Sequence, residues 1–323
     1  MMIERLNIKE FRGIRECEKE FELSKFTVLI GKNNSGKTAF LEAIYLLLDN
    51  IGGDPVYRTN RSAVVRDIHS GSPSSLVYGY SGVAEIEYSV NSRKLSLKID
   101  DKGSSKLYID DAEWKEDYEV LSKIFGTEPD SEAINALFLF ISPHTGNIRD
   151  LIDGIKREHE RITKIGAHIS IIELVNKCIN DKYTEIYLET LRVRKELPGN
   201  VLYIKLEDLG HGLVKTIPAL LWIEALKPKV VLWDDFEISA HPSLIRILIE
   251  WLSTKDFQVI ISTHSIDVLS ELIDVRPKDA TVLQLLKTDE DILRYTKLNL
   301  DDLEVIMEKA QHDPRLLTDA LQI

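Results

Sequence analysis

Cysteine is scarce in this chain: Cys17 and Cys178 are the only two in 323 residues. Two thiols at that spacing form neither a disulfide framework nor a metal motif. Long hydrophobic runs are missing as well. No stretch approaches the roughly 18 apolar residues that a membrane span requires, so no membrane association is expected. The opening residues, MMIERLNIKEF, are charged and strand-like and lack the apolar core of a signal peptide. A cytoplasmic protein is the expectation. Positive charge is in deficit, with 41 Lys and Arg against 53 Asp and Glu, a net of −12. Such a chain has no general attraction for nucleic acid, and DNA contact would need a local basic patch. There are no internal repeats, no low-complexity tract, and no glutamine before Gln258.

What is present is a 44% apolar chain, enough for one large domain or two smaller ones. Short apolar runs at Phe26–Ile30 (FTVLI), Leu137–Ile141, Val230–Trp233 and Phe257–Ser262 have the pattern of strands buried on both faces. Ile3–Ile8 and Glu18–Leu23 read as further strands. Helical spacing marks Thr38–Leu48, Ala112–Ile124, Gly210–Leu226, His241–Leu252 and Ser265–Ile273. Residues 56–80 read as loop with at most one strand. Residues 83–110 alternate, with turns at Asn91-Ser92 and Lys102-Gly103, as an antiparallel meander does. Helical runs over Asn147–Ile165 and Ile169–Ile179, joined at Gly166, predict a helical hairpin. Strands are expected over Tyr183–Glu196, Val201–Leu206, 280–286 and 292–299.

This is an α/β pattern at both ends with a β-rich and then helical middle. The expected fold is α/β, a mixed central sheet flanked by helices, with an antiparallel β-subdomain and a short helical-hairpin insertion. The expected division is a first lobe over 1–140 with the glycine-rich turn after FTVLI and the meander (about 56–110), an inserted helical arm over 141–199, and a second lobe over 200–323.

The strongest motif is Gly31-Lys32-Asn33-Asn34-Ser35-Gly36-Lys37-Thr38, which fits G-x-x-x-x-G-K-[ST] at every fixed position. It follows FTVLI and opens a helix, where backbone N–H groups and the helix N-terminus can hold phosphate. Lys37 would reach the β- and γ-phosphates of ATP, and Thr38 would ligate Mg²⁺. Such a loop needs a carboxylate on a neighbouring strand, and Asp234 at the end of VVLWD supplies it. The alternative is that Asp234 and Asp235 only cap the next helix. His264, at the tip of the strand ending Ser262, is a candidate γ-phosphate contact; alone it would more simply be a structural or capping histidine.

These features together resemble an ABC-type ATPase of the RecF, SMC and overcoming-lysogenization-defect (OLD) group. The resemblance is carried by I-x-x-L-x-I-x-x-F-R-G-I at the start, the P-loop, the acidic strand end followed by x-E-x-x-x-H-P, and the strand ending S-T-H-S. It covers roughly residues 1–50 and 200–310. It implies two ATPase domains sandwiching two ATP molecules, with a signature loop of one subunit on the partner's γ-phosphate. Leu206–Gly212 matches that loop, which places Gly210, His211 and Gly212 at the partner's nucleotide. Asp208 replaces the usual serine; it either turns away and caps the helix or is offset by His211. Asp235 stands where the family has its catalytic glutamate, and Glu237 matches a second acidic position. Ala240-His241-Pro242 would start a loop facing the partner subunit. The family's glutamine loop has no glutamine here, and His144 in Ile141-Ser142-Pro143-His144, or a water, is its candidate substitute. Arg12, in F-R-G, either reaches the nucleotide or is a surface charge at a strand end.

The stretch between Thr38 and Asp208 has no room for a long coiled coil. Basic residues at Lys156-Arg157, Arg161, Lys164 and 192–195 (RVRK) either touch a nucleic-acid backbone or form a solvated face among acids. Too few residues follow Ala280 for the toprim domain of OLD nucleases, so a nuclease or other effector would be a separate protein. The expected function is slow ATP hydrolysis by a homodimer that gates a partner in DNA repair or anti-phage defence. An ATP-driven dimerisation switch with little turnover, and a DNA-end-binding protein, are the alternatives.

Overall fold

A computed structural model describes residues 2–69, 71–309 and 314 of the chain. In chain order the first strands are β1 (Ile3–Phe11), β2 (Ile14–Cys17), β3 (Phe21–Glu22) and β4 (Phe26–Ile30). The P-loop and α1 (Lys37–Tyr45) follow, then a 3-10 turn over Leu46–Ile51 and α2 (Arg61–Ile68). The meander is β5 (Val83–Val90), β6 (Arg93–Asp100), β7 (Ser105–Ile109) and β8 (Ala112–Glu113). Asn91 and Ser92, both at positive φ, make the two-residue turn that joins β5 to β6 with Val90 opposite Arg93. Next come α3 (Tyr118–Phe125), α4 (Ser131–Asn135), β9 (Phe138–Ile141), α5 (Thr145–Arg157), α6 (His159–Ile165) and α7 (Ala167–Val175). A separate three-stranded sheet holds β10 (Tyr183–Tyr187), β11 (Arg192–Leu197) and β12 (Asn200–Lys205). The remainder is α8 (His211–Leu226), β13 (Val230–Trp233), α9 (Pro242–Ser253), β14 (Gln258–Ser262), α10 (Ile266–Val275), β15 (Ala280–Lys287), β16 (Ile292–Leu298) and α11 (Leu300–Glu304).

One large sheet runs β8-β7-β6-β5-β1-β2-β16-β15-β4-β14-β13-β9, with β3 paired to β1. Strands from both ends of the chain interleave, and the core from β15 to β9 is parallel. Every residue of β4, β9, β13 and β14 is buried, as a sheet covered on both faces demands. Alternation along these strands sorts the two cores. Val28, Val231 and Ile261 face α8, α9 and α10, while Leu29, Leu232 and Ile260 face α1 and the meander. Apolar faces of α5 and α7 (Leu151, Ile155, Ile171, Ile172) join the first core, and the Trp222 indole of α8 donates to the Leu151 carbonyl at 2.9 Å. No helix among the described residues is long and apolar enough to cross a membrane.

The structure corrects four local expectations. The described residues of 56–80 contain no strand beyond a single bridge of Val77 to Phe11; Arg61–Ile68 is a helix. Its first turn is satisfied from a distance, with the Ser62 N–H bonded to Asp49 Oδ1 at 2.7 Å, which no local signal announces. The expected helix from Ala112 starts only at Tyr118, where Asp117 caps it, because Ala112–Glu113 pairs with β7. The run from Asn147 to Ile165 breaks at Glu158, whose backbone (φ −98°, ψ 15°) leaves the helical region. The second N-terminal strand is Ile14–Cys17 rather than Glu18–Leu23, of which only Phe21–Glu22 is extended.

A buried cation holds the α2 region down. Arg61 is 0% exposed; it donates to the Leu48 carbonyl (3.1 Å), to Asn135 Oδ1 (2.6 Å) and to the Asn135 carbonyl (2.8 Å), and lies 3.9 Å from Asp54. Arg61→Leu would leave those acceptors buried without a donor. A stability loss of about 3–5 kcal/mol is expected in urea unfolding, the cost of breaking a buried ionic network on one side. A shift below about 1 kcal/mol would mean that the network relaxes onto water.

Candidate functional site

The P-loop joins two elements by backbone geometry that few residues allow. Gly31 has φ +149°, and a Cβ there would meet the Leu285 carbonyl at 2.5 Å and Ser35 Oγ at 2.6 Å. Glycine is therefore required for β15 to lie beside the loop. Asn34 also takes positive φ, and Gly36 caps α1 in the left-handed region. Lys37 is buried, and its ammonium donates to the carbonyls of Gly31 (3.0 Å) and Lys32 (3.1 Å). Burial lowers its pKa, against the opposing pull of Asp235, Asp234 and Glu237.

Register then brings the acids in. With β14 paired to both β4 and β13, the ends of all three strands come together. Thr38 Oγ1 donates to Asp234 Oδ2 at 2.9 Å, and Ser262 Oγ donates to Asp234 Oδ1 at 2.5 Å. Burial raises the Asp234 pKa to about 6, with Asp235 and Glu42 adding to the rise and the two hydroxyl bonds opposing it. Asp234 is thus bonded to the P-loop as well as lying at the start of the turn before α9. His241, not an aspartate, caps α9, accepting from the Ser243 N–H.

Asp235 adopts a left-handed backbone (φ +45°), and its N–H donates to Ser262 Oγ at 2.8 Å. Burial raises its pKa and Glu237 adds to that, while His264, Lys37 and Lys215 act in the opposite direction. Glu237 Oε1 accepts from the His264 N–H at 2.8 Å. Its Oε2 is buried and has no hydrogen-bond partner among the described residues.

A cleft of about 380 Å³ opens over these groups. Its walls include residues 33–38 of the P-loop, Arg12, Asp235 and His264. Asp234 lies behind Thr38, and Glu237 behind His264. Arg12 is not a surface charge: its side chain is 16% exposed and pairs with the buried Glu42 at 3.5 Å. Among the described residues, no group of three or more His, Cys, Asp or Glu side chains is arranged to hold a metal ion. Thr38 and Asp234 present two adjacent oxygens, the partial set that suits Mg²⁺ completed by phosphate and water.

Gly210, His211 and Gly212 are not in this cleft. They start α8, where Gly210 occupies the cap position without a side-chain bond. Asp208 is exposed in a 3-10 turn and does not cap the helix. A Cβ at Gly212 would meet the Ser239 carbonyl at 2.6 Å, so glycine lets the start of α8 pack against the loop before His241. His144 is exposed at the N-terminus of α5; its neighbours Ser142 and Pro143, not His144 itself, share a small cavity with Asp234 and Asp235. Of the basic candidates, Lys156, Arg161, Arg194 and Lys195 are ion-paired within the chain, to Asp153, Glu132, Glu196 and Asp181.

Two polar cleft residues lie outside the motifs. Lys287, at the end of β15, donates to the Gly13 carbonyl at 3.2 Å. Its position follows from β15 pairing with β4, a long-range fact without a local signal. His69, just after α2, sits in the stretch read as loop.

Comparison with known proteins bears on this geometry. Residues 26–271 match the family model described as "AAA domain, putative AbiEii toxin, Type IV TA system". A Helicobacter pylori protein named ATP/GTP phosphatase is 22% identical to the chain, over 96% of this chain and 99% of that protein. A 47-residue segment is 51% identical to the DNA replication and repair protein RecF of Vibrio campbellii, covering 15% of this chain and only 13% of RecF. Among solved structures, an Smc head bound to the C-winged helix domain of ScpA superposes over 93% of this chain and 99% of its own, with TM-score 0.59 and 15% identity. That likeness establishes the fold, a mixed α/β P-loop ATPase sheet.

Proposed function

We infer the function from one premise: the chain belongs to this AAA-domain family and is an ABC-like ATPase with the fold of an SMC head. On that premise it binds ATP in the cleft and hydrolyses it with Mg²⁺. The observation that carries this is the hydrogen bond from Thr38 to Asp234, which joins the P-loop to the acidic strand end at 2.9 Å. Lys37 and the loop N–H groups hold the phosphates. Thr38 and Asp234 would hold Mg²⁺, whose charge would offset that developing on the phosphates. Asp235 orients the attacking water, and His264 contacts the γ-phosphate from the next strand. The full-length similarity to a protein named ATP/GTP phosphatase favours hydrolysis over binding alone.

The match of Leu206–Gly212, at the start of α8, to the family's signature loop is what supports a dimer in which the start of each α8 meets the partner's nucleotide. That arrangement would let ATP close the dimer and hydrolysis open it, gating a separate effector in defence or DNA repair. The family description, which names a toxin of a toxin–antitoxin system, weights defence. A switch with little turnover is the second reading, favoured by the short side chain at Asp235.

Phosphate release from ATP, measured with and without Mg²⁺ across pH, tests the enzyme reading. Asp234 keeps its proton up to about pH 6, because burial raises its pKa. A protonated carboxyl does not hold a divalent ion, so proton and Mg²⁺ compete, and the Mg²⁺ concentration for half-maximal turnover should rise as pH falls below about 6 and level off above it. The same half-maximal Mg²⁺ concentration at pH 5 and pH 8 would count against Asp234 as the metal ligand. Nucleotide-driven dimerisation without phosphate release would establish the switch instead.

A further inference from the structure

Glu42 is a fully buried carboxylate on α1, one helical turn beyond Thr38. Two side chains, an arginine and a histidine, meet it from other parts of the chain. His69 Nε2 lies 2.6 Å from Oε1, and Arg12 Nη1 lies 3.5 Å from Oε2. Both also line the cleft with the P-loop. The two contacts differ in kind. The first is a short hydrogen bond, and since an ionised carboxylate only accepts, the imidazole donates. The second is long and unaligned: among the described residues, Arg12 Nη1 and Glu42 Oε2 are each buried without a hydrogen-bond partner. A buried guanidinium donor left without an acceptor is costly. The Arg12 side chain as a whole is 16% exposed and lines the phosphate cleft, so a small turn of the guanidinium brings this donor to an anion there.

We propose that His69 is a positioning residue: it satisfies Glu42 so that Arg12 stays available to the phosphates of the nucleotide. This rests on the ATP-binding reading of the cleft. The reason is competition. Glu42 and a phosphate group would draw on the same guanidinium, and a buried carboxylate with a single cationic neighbour holds that neighbour tightly. Among the described residues the ion-pair partners of Glu42 are Arg12 and His69. Without His69, Arg12 turns to Glu42 and forms the aligned pair that it lacks now.

The test is ATP affinity by titration calorimetry on the full chain, with thermal melting as a check on folding. His69→Leu should weaken ATP binding by about tenfold. His69→Lys, which keeps a hydrogen-bond donor beside Glu42, should bind within about threefold of wild type. The decisive variant is the double change His69→Leu with Glu42→Gln. Removing the competing carboxylate should restore affinity to within about threefold, whereas a purely structural trio would make the double variant worse than either single one. Arg12→Ala should weaken binding and gain nothing from Glu42→Gln. Wild-type affinity in His69→Leu, or no rescue in the double variant, would overturn the proposal. Lys37→Ala separates the two levels: if wild type and Lys37→Ala both fail to bind ATP, the cleft is not a nucleotide site and both readings fall. If only Lys37→Ala fails while His69→Leu binds normally, the role of His69 alone is wrong.

Discussion

Lys37→Ala should reduce Mg²⁺-dependent ATP hydrolysis by about a hundred- to a thousandfold, the scale seen when one preorganised donor to a developing charge is removed. The structure explains why the loss should be large and local. The ammonium is buried and fixed by the Gly31 and Lys32 carbonyls at 3.0 and 3.1 Å, so it is positioned before nucleotide arrives. Burial already lowers its pKa, and the nearby acids Asp235, Asp234 and Glu237 offset that penalty. An alanine removes the only lysine of the P-loop helix start and leaves those carboxylates facing the phosphates without it. Folding should be little affected, because the core faces of α1 are made by Phe40, Leu41 and Ile44. The measurement is phosphate release at saturating ATP, beside a melting curve. Equal rates in wild type and variant would end the enzyme reading.

Asp235 carries the second large effect. Aspartate is one methylene shorter than the glutamate expected at this position, so its carboxylate sits about 1.5 Å further back by bond geometry. Misplacement on that scale can cost about a hundredfold in rate. Asp235→Glu should therefore raise kcat by about tenfold or more, and Asp235→Asn should lower it. The backbone adds a consideration that pulls the other way. Asp235 has φ +45°, a left-handed conformation that aspartate tolerates better than glutamate. The glutamate variant should thus lose about 1 kcal/mol of stability while gaining rate, and the two are read separately by melting and by turnover. A fall in kcat without unfolding would mean that the site is built around aspartate. Attention would then move to Glu237, whose Oε2 is buried without a hydrogen-bond partner and whose Oε1 is fixed by His264.

Much of the site could be read in one dimension because its parts are local. The P-loop is a continuous strand–turn–helix whose glycines answer to their own φ angles and immediate neighbours. Four-residue apolar runs such as VVLW announce strands buried on both faces, and an acid at such a strand's end stands at the edge where α/β sheets bind their ligands. Arg12 and Asp208 were ambiguous for the opposite reason. Whether a charge is solvated depends on what packs over it, and the Glu42 partner of Arg12 lies thirty residues away.

A P-loop motif, an acidic strand end and a histidine-tipped strand are each encoded within a few consecutive residues of this chain. How they meet is a matter of long-range pairing. Parallel pairing of β4 with β14 and β15 brings Ser262 and Lys287 to the loop. Helix α2 begins where Asp49 and the buried Arg61 hold it, and so delivers His69 to Glu42. Parallel strand neighbours and buried ion pairs are chosen by the free energy of the whole core, and that energy has no local signature in the chain.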